Sequence, residues 1–348
     1  MHYVRNAWYV AAWTADLDGA KPTGLRILGE RIVLFRTESG KLVALEDRCV
    51  HRLAPLSLGR CEGERLRCMY HGILFDSDGA VTEIPGQDIV PRDAKVRAYP
   101  VVDRHGWAWV WMGDPELADD SAIPATIGTD HPDYLMGHGF LDYDCAAQLI
   151  SENLLDFSHI GYVHADSFPQ GDQMAKTHAD IRPIDRGIRY RRWVENLASD
   201  AAGFPAAPLD HYMEYDYVVP GILMMHIAGF PLGTAKKLEF GEPDLSDAVR
   251  DLTFTGQAVT PIDERTTRYF FCYGMHRAHG NEEMIEPMMQ LVQKAFAEDK
   301  VMIEAQQKVI DETPEPRMIP TSHDRSITIY NRMLDKMIRE ETERQAVA

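Results

Sequence analysis

The chain of 348 residues is long enough for two domains with substantial cores, and its composition, 45% apolar and 26% charged, is that of a globular protein. Its formal net charge of −18 argues against a nucleic-acid-binding surface, which requires a basic patch. The N-terminus lacks a basic region followed by an apolar core, and Gly and Pro interrupt the charge-free run 217–235. The sequence therefore predicts a cytoplasmic protein with neither nucleic acid nor membrane as a partner.

The first third of the chain is rich in short runs of β-branched and aromatic residues separated by turns that contain glycine. Strands are predicted at 25–28, 32–35, 42–45, 73–75, 96–102 and 107–111, with another near Val81. This pattern is typical of a small antiparallel β domain, which we place at residues 1–115. The acidic stretch 113–124 is predicted to be the linker that follows it.

Residues 116–348 form the second predicted domain, in which helical and strand patterns are mixed. Helices are predicted at 144–159, 282–311 and 326–342 from the helical spacing of apolar residues. Strands are predicted at 187–195, 212–219, 221–227, 252–259 and 267–275. The whole chain is therefore expected to have an α+β fold.

Two Cys-His pairs give the most specific signal in the sequence. Cys49-Val-His51 and Cys68-Met-Tyr-His71 are separated by sixteen residues, and each pair places a thiol and an imidazole on one tight loop. Two such loops suit either tetrahedral zinc or a Rieske [2Fe–2S] cluster, in which two thiolates hold one iron and two imidazoles the other. Zinc fingers usually begin with a Cys-Cys pair, so the mixed pairs favour the cluster over zinc.

A second candidate metal site has the pattern D-x2-H-x4-H, formed by Asp156, His159 and His164. Asp156 and His159 are expected to share one face of a helix because they are three residues apart. The two histidines would lie roughly 140° apart on a regular helix, so we expect Gly161 to provide the freedom for a local distortion. The pattern alone is of moderate specificity because the chain contains 14 histidines.

Taken together, the two motifs resemble the oxygenase component of Rieske non-haem iron oxygenases over nearly the whole chain. Segments 5–12, 84–87, 109–115 and 153–157 are similar to those of the vanillate O-demethylase, toluenesulfonate methyl-monooxygenase and dicamba O-demethylase group. The resemblance implies an N-terminal antiparallel β Rieske domain. It also implies a C-terminal helix-grip (START-like) catalytic domain, in which an antiparallel sheet packs against a long helix.

The resemblance also assigns metal ligands. The residues expected to bind the [2Fe–2S] cluster are Cys49, His51, Cys68 and His71. The residues expected to bind mononuclear Fe(II), as two histidines and one carboxylate, are His159, His164 and Asp299, with Glu298 and Glu304 as weaker replacements for the carboxylate. The remaining cysteines, Cys61, Cys145 and Cys272, do not form a disulfide framework and are expected to be buried thiols.

Two further residues have expected roles by resemblance. Asp156 is expected to link His71 of one subunit to His159 of the next within a head-to-tail homotrimer. Asn153 is expected to lie near the mononuclear iron. The substrate pocket is expected on the strands of the second domain, with Ile222, Met224, Met225 and Ile227 as lining candidates and His226 and Gln257 as the polar residues that meet substrate.

The implied function is that of a monooxygenase acting with O2 and electrons from NAD(P)H, which a separate ferredoxin-type reductase delivers. It would hydroxylate, and in that way O-demethylate, a substituted aromatic acid such as a methoxybenzoate. An aromatic-ring-hydroxylating dioxygenase is the alternative enzyme. A Rieske ferredoxin would need only the first third of the chain, and a helix-grip ligand-binding protein would not need the candidate iron ligands.

Overall fold

The chain divides into two compact units in the computed structural model, which describes residues 3–17, 19, 21–168, 171–177, 179–198, 207–315 and 317–347. The first unit comprises Tyr3–Pro124 and Thr260–Glu264, and the second comprises Ala125–Val259 and Arg265–Ala348. Among the described residues, no helix is both long enough and apolar enough to cross a membrane.

Short strands build the first unit. They are β1 (Trp8–Trp13), β2 (Thr23–Ile27), β3 (Glu30–Arg36), β4 (Leu42–Glu46), β5 (Arg60–Glu62), β6 (Arg65–Arg67), β7 (Leu74–Phe75), β8 (Val81–Glu83), β9 (Ala98–Tyr99), β10 (Val101–Arg104) and β11 (Trp107–Trp111). In the described part of this unit they form three sheets, ordered β1-β11-β10, β2-β3-β4-β9 and β5-β6-β7-β8. Neighbouring strands in these three sheets pair antiparallel, as the sequence predicts.

The core of the first unit lies directly beneath the two Cys-His loops. Cys49 and Cys68 belong to the same buried cluster as Phe35, Leu66 and Phe75, which come from β3, β6 and β7. Short strands rich in apolar residues thereby give the two loops a rigid apolar base.

A seven-stranded antiparallel sheet forms the second unit, in the order β12-β18-β17-β16-β15-β14-β13. Its strands are β12 (Tyr134–Tyr143), β13 (Asp180–Ile184), β14 (Gly187–Leu197), β15 (Leu209–Val218), β16 (Ile222–Phe230), β17 (Arg250–Pro261) and β18 (Thr267–His276). The five strands predicted for this half are confirmed, each within three residues at either end. Together with the helices they confirm the α+β class.

Strand β12 was not predicted, because Gly137 and Gly139 weaken a strand pattern. The structure gives a reason for both glycines. A Cβ on Gly137 would lie 2.4 Å from Cγ of Met289, and one on Gly139 would lie 3.0 Å from the ring of Phe271. The glycines therefore allow a helix and a neighbouring strand to approach β12 closely.

The helices of the second unit are α1 (Ala147–Leu155), α2 (Ile160–Val163), α3 (Asp172–Lys176), α4 (Thr234–Lys237), α5 (Ile285–Glu312) and α6 (Arg325–Val347). The long helix α5 packs against β12 and β18. Its buried stripe runs through Val292, Ala295, Asp299 and Ile303, at the spacing of one helix face. A carboxylate therefore occupies a position in this stripe where an apolar residue would normally lie.

Candidate functional site: two groups of metal-binding side chains

The two Cys-His loops share one backbone arrangement. The N–H of Cys49 donates to the carbonyl of Ala54, and the N–H of Leu53 donates back to the carbonyl of Cys49. The second loop repeats both hydrogen bonds at the same offsets, from Cys68 to Ile73 and from Gly72 to Cys68. The fifth residue of each loop has a positive φ, +59° at Leu53 and +76° at Gly72. Each cysteine is therefore held by the same kind of turn.

The side chains of these loops fit a cluster with two sulfur and two nitrogen ligands. Cys49 and Cys68 are buried, whereas His51 and His71 are exposed, with ring centroids 4.6 Å apart. Burial and the neighbouring Cys68 thiol raise the pKa of Cys49 to about 11, so the Cys49 thiol would remain neutral without a cation. Bound iron would supply the positive charge that stabilises the two thiolates.

His159, His164 and Asp299 come together in the second unit. Their ligand atoms all lie within 4.8 Å of one another. Nε2 of His159 lies 3.5 Å from Oδ1 of Asp299, and Nε2 of His164 lies 3.2 Å from the same oxygen. Two imidazole nitrogens and one carboxylate converging beside a cavity are the donor set of a non-haem Fe(II) site with open positions.

The backbone breaks just before His159, and this corrects the predicted helix 144–159. Helix α1 ends at Leu155 because Asp156 is extended, with φ −133° and ψ 98°. The Asp156 carboxylate then accepts a hydrogen bond from the N–H of Ser158 at 2.8 Å and begins a short 3-10 helix, Phe157–His159. Nδ1 of His159 contacts the backbone carbonyl of Asp156 at 2.5 Å, so the expected shared helix face does not form.

Gly161 has a different role from the one expected. It lies in α2 and does not have a positive φ, so its backbone freedom is not used. A Cβ at this position would lie 2.3 Å from the backbone nitrogen of Asp172. Gly161 thus lets the segment that begins α3 pack closely against α2, which carries His164 at its C-terminal end.

Glu298 is the functional candidate whose role the sequence did not reveal. Its Oε2 lies 2.9 Å from Nδ1 of His164, and its Oε1 accepts a hydrogen bond from the Ser167 hydroxyl at 2.9 Å. Burial lowers the pKa of His164, but the carboxylates of Asp299 and Glu298 outweigh burial and hold it above its ordinary value. The adjacent carboxylates Glu298 and Asp299, with Ser167 three residues after His164, are the signal that could have indicated this contact.

Asn153 lies beside two of the three candidate iron ligands. Its Nδ2 donates to Oδ1 of Asp299 at 3.1 Å and lies 3.4 Å from Nε2 of His159. It extends from the last turn of α1 towards the three candidate ligands, and it restrains the Asp299 carboxylate.

A cavity of about 270 Å³ opens beside this group, and His159, His164 and Asp299 are part of its lining. Of the predicted pocket residues, Met225, Ile227 and Gln257 line it, whereas Ile222, Met224 and His226 do not. Alternation along β16 separates His226 from Met225 and Ile227. His226 contacts the ring of Phe254 instead, and burial lowers its pKa.

Comparisons with known proteins agree with this arrangement. Residues 7–100 match the Rieske [2Fe-2S] domain, and residues 143–340 match the vanillate O-demethylase oxygenase C-terminal domain. A putative toluene-4-sulfonate monooxygenase system iron-sulfur subunit from Comamonas testosteroni is 37% identical, over 97% of this chain and 98% of its own length. The oxygenase component of dicamba O-demethylase from Stenotrophomonas maltophilia is 32% identical over 88% of each chain.

Among solved structures, dicamba monooxygenase bound to 3,6-dichlorosalicylic acid superposes with a TM-score of 0.88. The superposition covers 98% of this chain and 99% of that one, at 29% identity. The β domain with its Cys-His loops and the sheet domain with its two-histidine, one-carboxylate group thus define a Rieske non-haem iron oxygenase. The chain belongs to the vanillate O-demethylase type of this family.

It follows that the protein is an oxidoreductase of the monooxygenase class. Its cofactors are a Rieske [2Fe–2S] cluster and a mononuclear iron. It is an oxygenase component, as relatives of the same family are named.

Replacing Glu298 by Gln should weaken metal binding by about 10–100-fold, because an amide no longer holds Nδ1 of His164 in one protonation state. Metal binding also requires neutral His164, so metal affinity should rise with pH through the raised pKa of this histidine. In the Glu298→Gln variant the pKa of His164 should be lower, so metal affinity should begin to rise at lower pH. Anaerobic titration of metal-free protein with Fe(II) or Co(II) at several pH values measures both effects.

Glu304→Gln is the matched control, since Glu304 lies on the same helix and accepts a hydrogen bond from the backbone N–H of Asp144 at 2.8 Å. Equal metal affinity for Glu298→Gln and the control would contradict the role given to Glu298.

Proposed function

We propose that Cys49, His51, Cys68 and His71 bind the [2Fe–2S] cluster within a domain of residues 1–115. Two observations support this ligand set. The two loops have equivalent hydrogen bonds, and the two thiols lie next to each other, as do the two imidazoles. We likewise propose that His159, His164 and Asp299 bind Fe(II) within the catalytic domain 116–348. The convergence of two Nε2 atoms on one Asp299 oxygen supports this assignment.

We propose that the reaction is hydroxylation of the methyl carbon of a methoxy-substituted aromatic acid such as a methoxybenzoate. The methoxy carbon leaves as formaldehyde and a phenol remains, with one O2, two electrons and two protons consumed and one water formed. The electrons would come from NAD(P)H through a ferredoxin-type reductase. Relatives named as monooxygenases and O-demethylases favour this reaction over ring dihydroxylation.

When bound, the cluster would supply single electrons and the mononuclear iron would supply O2 activation. The chain's own residues provide orientation. The carbonyl of Asp156 holds Nδ1 of His159, Glu298 holds Nδ1 of His164, and Asn153 holds the Asp299 carboxylate. The largely apolar cavity wall, which includes Phe157, excludes water around an aromatic ring.

We also propose a head-to-tail homotrimer in which Asp156 links His71 of one subunit to His159 of the next. The cluster loops expose apolar side chains at Leu53, Met69 and Tyr70, which is unusual unless a surface is covered by a partner. A cytoplasmic location, expected from the sequence, remains a prediction.

Incubation with a reductase, NAD(P)H and a methoxybenzoate should release one formaldehyde and one phenol for each O2 consumed. The reason is that oxidation of the methyl carbon breaks the ether bond and leaves the ring intact. Product analysis by mass spectrometry, with ring-only aromatic acids in parallel, measures this outcome. A cis-dihydroxylated ring product from the parallel set would instead favour the dioxygenase alternative.

The Asp299→Ala variant should lose mononuclear iron and retain the cluster, because it removes the only carboxylate of the proposed ligand set. The metal-free variant should remain folded, since an alanine suits the buried stripe of α5 better than a carboxylate does. Iron content per chain and the visible absorbance of the cluster separate the two sites. Unchanged mononuclear iron would show that the carboxylate ligand is another residue.

The Asp156→Asn variant should keep both metal sites filled and lose about 10–100-fold in turnover, because an amide oxygen accepts a hydrogen bond from His71 of the neighbouring subunit more weakly than a carboxylate does. The Asp156 carbonyl, which contacts Nδ1 of His159, is unchanged in this variant. Asparagine can still cap the turn at Ser158, so folding should be retained. Asp114→Asn is the matched control, because Asp114 caps a 3-10 helix in the same way through Glu116. Wild-type turnover in the Asp156 variant would rule out the proposed link.

A further inference from the structure

The cavity beside the candidate iron site offers few polar groups to a substrate. Apart from the three candidate ligands, its polar side chains are Asn153, Ser167, Thr255, Gln257 and Tyr273. Within the described part of the chain, no lysine or arginine lines it. Recognition of a polar substrate group therefore depends on which of these side chains still has a hydrogen-bond donor to offer.

Two of these side chains act within the metal site. The hydroxyl of Ser167 donates to Oε1 of Glu298 at 2.9 Å, and Nδ2 of Asn153 donates to Oδ1 of Asp299 at 3.1 Å. Tyr273 also has an interaction partner. Thr255 and Gln257 lie two residues apart on the cavity face of β17.

The hydrogen bonds of Thr255 and Gln257 run in one direction only. The Thr255 hydroxyl has a single hydrogen, which it donates to the carbonyl of Cys272 at 2.8 Å. Towards Gln257 it must therefore accept, so the atom of Gln257 that lies 3.2 Å away is the amide nitrogen. The hydrogen-bond donors and acceptors around Gln257 therefore fix which end of its amide is nitrogen and which is oxygen.

The other end of the amide is fixed by Tyr269. With its nitrogen towards Thr255, Gln257 presents Oε1 to the Tyr269 hydroxyl at 2.6 Å, and this hydroxyl must donate. Burial raises the pKa of Tyr269 well above its ordinary value, so the phenol keeps the proton that it donates. Gln257 has two N–H groups, and these contacts use only one of them.

We propose that the second N–H of Gln257 is a substrate-recognition donor that selects an uncharged oxygen acceptor on the aromatic ring. This inference rests on the proposed function and narrows its substrate class. The substrate is an aromatic acid that carries, besides its carboxylate and the methoxy group that reacts, a neutral oxygen substituent such as an ether, hydroxyl or carbonyl. The acid group itself does not lie at Gln257.

A carboxylate is unsuited to this position for a physical reason. A buried ionised group is costly unless charge or several donors compensate it. One neutral N–H does not do so, and Thr255 and Tyr269 cannot rotate to help without losing their own buried partners. A neutral acceptor needs only one hydrogen bond, which Gln257 provides.

Binding to the iron-loaded, oxidised enzyme tests the proposal independently of turnover. The probes are 3-methoxybenzoates that carry methoxy, ethyl or a second carboxylate at ring position 4 or 5, because methoxy and ethyl have nearly the same shape. Calorimetry should give a dissociation constant about tenfold lower for methoxy than for ethyl in at least one of the two positions, since one neutral hydrogen bond is gained. The dicarboxylate should bind most weakly.

The Gln257→Met variant should abolish the difference between methoxy and ethyl and leave the affinity for the ethyl compound within about twofold, as methionine matches glutamine in length and lacks the donor. Gln307→Met is the matched control, because Gln307 is also a buried glutamine with two hydrogen bonds but does not line the cavity. It should retain the methoxy preference.

Equal wild-type affinities for methoxy and ethyl at both positions, or tightest binding of the dicarboxylate, would overturn the proposal. So would an equal loss for both compounds in Gln257→Met. A separate formaldehyde assay distinguishes this result from failure of the proposed function. Formaldehyde release without a methoxy preference would refute the role of Gln257 alone, and a Gln257-dependent preference without formaldehyde would refute only the demethylation.

Discussion

The catalytic unit depends on how each of two imidazoles is held by its Nδ1 atom. A neutral imidazole has one N–H and one lone pair, so the partner of one nitrogen decides what the other can bind. Nδ1 of His159 meets a backbone carbonyl, which can only accept, and Nδ1 of His164 meets the Glu298 carboxylate. Both Nε2 lone pairs are therefore left for a cation near Asp299.

These two contacts account for the local backbone. The carbonyl of Asp156 can reach His159 because α1 stops at Leu155 and a new turn begins. Helix α5 supplies Glu298 and Asp299 in succession, about 100° apart on the helix. The two neighbouring carboxylates thereby reach opposite nitrogens of His164, at 2.9 Å and 3.2 Å. One helix thus provides both a candidate ligand and the group that orients another ligand.

The sequence predicted features that depend on spacing and composition. The Cys-His pairs, the long helix and the strands of the second unit all follow from short-range patterns. It did not predict features set by contacts between distant segments. Strand β12 was missed because it contains two glycines, which are uncommon in strands. These glycines are needed there because Met289 and Phe271 approach them closely. The turn at Asp156 has neither Gly nor Pro, although an aspartate two residues before Ser158 is a capping signal that could have indicated it.

The pocket residues also show that the sequence predicts local patterns but not contacts between distant segments. His226 and Gln257 were equally good polar candidates in the sequence, but strand alternation places only Gln257 on the cavity face. What Gln257 can do there is then decided by Thr255, Tyr269 and the carbonyl of Cys272, which together fix the direction of its amide. No lysine or arginine of the described residues lines the cavity. The fixed orientation of the Gln257 amide is therefore the main constraint on the polar groups that can bind at this wall. The selection that we propose for Gln257 therefore depends on hydrogen-bond polarity rather than on charge.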